Sequence, residues 1–235
     1  MNKKITFTSP LKGFIPEPQP SLLHVPKPYK DLPLFVNTET KSTVKRCVPF
    51  LDALTTGYII PFPIDIEVYL DVDNNEIKFL LPSQILYKFD ELIGVHAHNE
   101  YQISDDMKNS RRTLNTVFKF LNPWQINTPK GYSCLFITPF NHVLPFELIT
   151  GVVDTDTYPK NVQFPFYWTR DLNQRTVLKA GSPMVMVFPF KRESWKMETK
   201  VCKLTQEKRD LISLDIFKKI ADNYKSRFWS KKSYK

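Results

Sequence analysis

The sequence predicts a mostly-β fold, a barrel or a sandwich, and three observations carry that prediction. Short segments rich in Val, Ile, Phe, Tyr and Trp recur between residues 117 and 190, with turn residues between them. Only six glycines accompany nineteen prolines, which suits short strands with stiff connections and argues against a glycine loop cradling phosphate. With 42% hydrophobic and 14% aromatic residues, the 235-residue chain has ample apolar surface for a packed core.

Residues 9–33 hold seven prolines, Pro10, Pro16, Pro18, Pro20, Pro26, Pro28 and Pro33. Proline fixes φ and removes a donor, so this stretch is expected to form neither a helix nor a central strand. An extended arm fits, lying along the body or along a neighbouring subunit and anchored by Phe14, Ile15, Leu22, Leu23, Tyr29, Leu34 and Phe35. A short helix is expected over 49–56, with Pro49 in its first turn and Gly57 as its stop. Residues 59–72 read as strand, Asp73-Asn74-Asn75 as a turn, and 76–81 as the returning strand. The stretch 83–116 gives no clear pattern, and 105–112 reads as an exposed loop.

Further strands are expected at 117–121, 124–127, 132–138, 146–153, 162–168, 176–178 and 184–188. Thr205 reads as the N-cap of a helix to about residue 227. Leu211, Leu214, Phe217, Ala221, Tyr224 and Phe228 form an amphipathic stripe along it. The expected organisation is a Pro-rich arm over 1–40, a β domain over 41–200 and a basic helix with its tail over 201–235.

The net charge of +9 sits mainly at the C-terminal end, where residues 196–235 carry twelve Lys/Arg against five Asp/Glu. Such a segment could meet nucleic acid or an acidic protein, or form a solvated helix face. Cys47, Cys134 and Cys202 are odd in number and widely spaced, which points to neither a disulfide framework nor a zinc knuckle. No apolar run reaches the ~18 residues needed to span a bilayer, and no leader pattern opens the chain. A reducing cytoplasm is the expected setting, with no membrane partner.

Three segments carry a resemblance: Pro129-Lys130-Gly131-Tyr132, then Gly151-Val152-Val153-Asp154-Thr155-Asp156-Thr157-Tyr158, then residues 179–187, which contain Gly181-Ser182-Pro183. In order and rough spacing they resemble three motifs of the deoxyuridine triphosphatase (dUTPase) family. The resemblance implies a dUTPase-like (β-clip) barrel, association into a homo-oligomer with a trimer as the expected form, and magnesium with nucleotide as the alternative cofactor. It would make Asp154 the carboxylate that orients water and Tyr158 the ring beneath the sugar. The family's phosphate-binding Arg-Ser-Gly is replaced here by Thr138-Pro139-Phe140-Asn141, and its Asp-Arg and Gln by Ser182-Pro183 and Met186. A triphosphate would lose the groups that offset its charge, so the resemblance implies the fold without the activity.

Most of the chain also resembles an uncharacterised family common in tailed bacteriophages and marine bacteria. The shared blocks are 43–68, 122–142, 151–159 and 187–196. That likeness implies a phage-type origin and supplies no function; the leading expectation is a non-enzymatic binding or structural protein, a virion component or a modulator of a host pathway, with no cofactor. The candidate ligand-binding residues of the chain are Asp154, Asp156, Tyr158, Lys191, Arg192 and Trp195, the last three closing the final strand with charge and an aromatic. A third reading is a metal-dependent barrel using His96, His98 and His142, with Glu100 nearby in sequence, although the spacing departs from the cupin pattern.

Overall fold

Proline and glycine set where the strands break. The computed structural model describes residues 3–36, 41–82, 89–98, 103–104, 116–170, 175–202, 205–209, 224–226 and 228–235. Over these residues the chain is mostly β, with several antiparallel sheets and a few short helices. The strands are β1 (Thr6–Thr8), β2 (Gln19–Pro20), β3 (Tyr58–Pro61), β4 (Ile66–Asp71), β5 (Glu76–Leu80), β6 (Val95–Ala97) and β7 (Val117–Phe120). They continue with β8 (Gln125–Asn127), β9 (Tyr132–Ile137), β10 (Phe146–Leu148), β11 (Gly151–Val153), β12 (Phe164–Trp168), β13 (Thr176–Leu178) and β14 (Pro183–Lys191). Two short helices, α1 (Lys27–Asp31) and α2 (Val48–Thr55), precede β3.

The strands form four sheets. The largest has the order β11-β9-β14-β3-β2, the next β10-β12-β7-β6, and the smaller ones β13-β4-β5 and β1-β8. Apolar positions alternate inward from all four sheets onto one core, including Phe62, Ile66, Phe120, Ile126, Phe136, Phe166 and Met184. The central strand β14 is nine residues long and pairs antiparallel with β9 on one side and β3 on the other. Gly57 lets β3 start against it. Its φ of +69° is open to glycine, and a Cβ there would lie 2.3 Å from the Val187 carbonyl oxygen.

Several expected elements form as read. The helix at Pro49 spans Val48–Thr55 with the proline in its first turn. Asp73-Asn74-Asn75 makes the turn between β4 and β5, with Asn75 in the left-handed region at φ 52°. Other readings need correction. The stretch 59–72 breaks into β3 and β4 at Pro63, which cannot donate to a ladder. The stretch 146–153 divides at 149–150 because the chain changes sheets there, β10 joining β12 and β11 joining β9. The uninterpretable stretch contains β6, paired with β7.

The Pro-rich segment also departs from expectation, since Lys27–Asp31 is a helix. Pro28 sits in its first turn, where the missing N–H would have had no intrahelical partner. The segment lies along its own chain, β2 pairing with β3 and β1 with β8. Its buried anchors are Leu11, Val25 and Tyr29, whereas Phe14, Leu22, Leu23 and Leu34 stay exposed. At the other end Thr205 accepts from the Arg209 amide and a helical turn follows over 206–209. Most of the apolar stripe, Leu211, Leu214, Phe217 and Ala221, lies outside the described residues. The final residues return to the body: Trp229 Nε1 donates to Asp52 at 2.9 Å, Lys232 pairs with the same carboxylate at 2.5 Å, and Tyr234 packs on Tyr58. No helix among the described residues is long and apolar enough to cross a membrane.

Candidate functional site

The sheet order brings the three motif-bearing segments side by side, because β11, β9 and β14 are neighbours. Asp154 and Asp156 follow β11, Gly131 and Ser133 flank the start of β9, and Arg192 follows the last residue of β14. The five meet at one end of the sheet.

Arg192 is the hub. Its Nη1 donates to Asp156 Oδ1 at 2.9 Å and its Nη2 to Asp156 Oδ2 at 2.5 Å, the two-pronged geometry that a planar guanidinium offers a carboxylate. Nη1 also reaches the Tyr132 carbonyl at 3.0 Å and Ser133 Oγ at 3.1 Å, and lies 3.2 Å from Asp154 Oδ1. Ser133 Oγ donates to Asp154 Oδ1 at 2.6 Å, and the Gly131 amide donates to Asp156 Oδ2 at 2.8 Å. The Gly131 amide is available for this because the residue adopts φ +85°, turning the chain ahead of β9.

The two carboxylates differ in setting. The Asp156 side chain is 3% exposed, whereas that of Asp154 is 60% exposed. The Arg192 guanidinium, helped by the Gly131 amide, holds the Asp156 carboxyl down at about 2. Beneath them Thr155 is buried, sharing a hydrogen bond with Thr128 at 2.8 Å and donating to Cys134 Sγ at 3.3 Å. Burial pushes the Cys134 thiol up to about 11, which disfavours the thiolate, and the side chain packs within the core.

Of the residues singled out from sequence, the fold unites Asp154, Asp156 and Arg192. Tyr158 ends the turn, its amide bonded to the Asp154 carbonyl at 2.9 Å, and its ring is partly exposed. Lys191 pairs with Glu193, and Trp195 projects away from the cluster, 89% exposed. His96 lies exposed on β6, and His98 follows it, its amide bonded to the Val117 carbonyl at 2.8 Å. His142 lies in the loop between β9 and β10, where burial and the neighbouring His24 both lower its pKa. Glu100 lies outside the described residues. Among the described residues no three His, Cys, Asp or Glu side chains come together as a metal site.

Sequence reasoning missed Ser133 and the Gly131 amide, which become partners only through strand pairing. It also missed an open cleft of about 560 Å³ beside the β9–β10 loop. Thr138, Pro139, Phe140 and Asn141 line that cleft. No family model matches the chain. Nor does any curated protein.

Proposed function

We propose that this chain is a non-enzymatic, phage-type binding or structural protein on a dUTPase-like barrel, working in the cytoplasm of a bacterial host or in the virion. The observation that supports the reading is the Arg192–Asp156 fork with Ser133 on Asp154. These bonds commit both oxygens of Asp156 and Oδ1 of Asp154 to joining the end of β14 to the turns beside β9 and β11. A catalytic carboxylate needs an oxygen free for water or metal, and a triphosphate needs cations free for its charge. Here the cation at the cluster is already spent on the carboxylates. The basic residues of 201–235 are the proposed contact for nucleic acid or an acidic protein.

A second reading rests on the 60% exposure of Asp154, which leaves room for a divergent nucleotide pyrophosphohydrolase. Incubation of the purified chain with deoxynucleoside triphosphates and magnesium separates the two. Pyrophosphate release at background level is expected. Release above background that disappears in Asp154→Asn, with melting unchanged, would establish the second reading in place of the first.

A further inference from the structure

Beyond Arg192 the chain leaves the sheet and runs to residue 202 without regular secondary structure. Residues 192–202 are all exposed, and among the described residues the backbone of 193–201 makes no hydrogen bond. The segment's sequence nevertheless alternates: paired as a strand, it would set Trp195, Met197, Thr199 and Val201 on one side and Lys196, Glu198 and Lys200 on the other. Trp195, Met197 and Val201 are 89%, 87% and 101% exposed. Period-two alternation is the signature of a strand with one face to bury, and three large apolar groups left in water are costly. The departure is also fixed in direction: the Arg192 amide donates to the Gly131 carbonyl at 2.8 Å while its side chain grips Asp156.

Strands that lack a partner are taken up by open sheet edges. Among the described residues β5 is the longest strand with one side unpaired, since it bonds only to β4. The other edge strands, β1, β2, β6, β8, β10, β11 and β13, are two or three residues long. Leu80 on β5 and Val72 beside it are exposed. The charges complement each other as well. Within the segment Lys200 pairs with Glu198 and Lys191 with Glu193, leaving Lys196 as its open charge among the described residues. On the hairpin Lys78 pairs with Glu76, leaving the acids Asp71 and Asp73. Two exchanged segments, each burying on the order of 400 Å² and covering as much on its acceptor, would bury about 1,600 Å², the size of a stable interface.

We propose that residues 193–201 are an exchange strand, taken up by the open edge of β5 in a second copy of this chain. The inference stands independently of whether Asp154 has a catalytic part. It places self-association at this segment instead of at the Pro-rich arm, which lies on its own chain.

Sedimentation velocity of the full chain at about 50 µM, above the roughly micromolar weak end of the range for interfaces of this size, tests it. The wild-type chain is expected to associate. A Trp195→Ser, Met197→Ser, Val201→Ser chain is expected to sediment as a monomer with unchanged melting, because those side chains are almost fully exposed in their own subunit. A monomeric wild type, or a triple variant that associates as tightly as wild type, overturns the proposal. The acceptor is tested by exchanging charge. Asp73→Lys and Lys196→Asp should each weaken association several-fold, and the two together should restore it. A doubly exchanged chain no better than either single variant overturns β5 as the acceptor.

Discussion

Asp156 shows how one side chain can hold three pieces of backbone together. Its carboxylate accepts from Arg192 after β14 and from the Gly131 amide ahead of β9, while its own backbone belongs to the turn after β11. The carboxyl titrates near 2 when folded, against an ordinary value of 3.8. A depressed acid contributes stability that is present above the unfolded value and is lost as pH falls through the folded one. Asp156→Asn should therefore melt below wild type at neutral pH. The gap should close as pH falls from about 4 to about 2, where the native carboxyl is itself neutralised. Thermal melts of both chains across that range check it, and a gap that stays constant would mean the fork contributes nothing through its charge.

At the scale of elements, the β3–β14 pair depends on the absence of a side chain at Gly57. An alanine there would meet the Val187 carbonyl oxygen at 2.3 Å in a backbone conformation that L-residues avoid. Gly57→Ala should cost at least about 2 kcal/mol in urea unfolding. Gly13 makes the control. It also has positive φ, but nothing lies within 4 Å of its missing Cβ, so Gly13→Ala should cost less. The same contrast explains what could be read from sequence. The β4–β5 hairpin was legible because its turn residues and its alternation are local. The break at 149–150 was not, because Ile149 and Thr150 carry no turn signal and the chain divides there only to serve two sheets. Asp154, Asp156 and Arg192 were each visible as polar residues in a β context. Their union was not, since it follows from the order β11-β9-β14, which no local pattern encodes. Helix α1 was hidden by a rule applied too broadly, for proline excludes a helix interior but not a first turn.

Across the whole molecule, four sheets share one core, and aromatic rings fill its middle. Phe120 and Phe166 stack with centroids 3.7 Å apart, and Phe62 and Phe146 meet Phe120 edge-on at 5.1 Å each. Phe166 is fully buried, so Phe166→Ala should cost about 3–5 kcal/mol, or roughly 10 °C in melting temperature for a chain of this size. Val152, on the outer strand β11 and largely exposed, should tolerate alanine within about 0.5 kcal/mol. Calorimetry of the two variants side by side reads the difference between a position where rings from two sheets meet and one on the exposed face of an outer strand.

The nine-residue strand β14 has a mechanical consequence. It is bonded on both flanks, and its end continues directly into the exposed segment. Tension applied through that segment runs parallel to the strand, so the two ladders are loaded in shear and their bonds must fail together. A hairpin at a sheet's rim would instead peel open one bond at a time. Rupture under load is governed by the unfolding barrier and not by equilibrium stability. An assembly tethered through this strand would thus resist pulling more firmly than its melting temperature suggests.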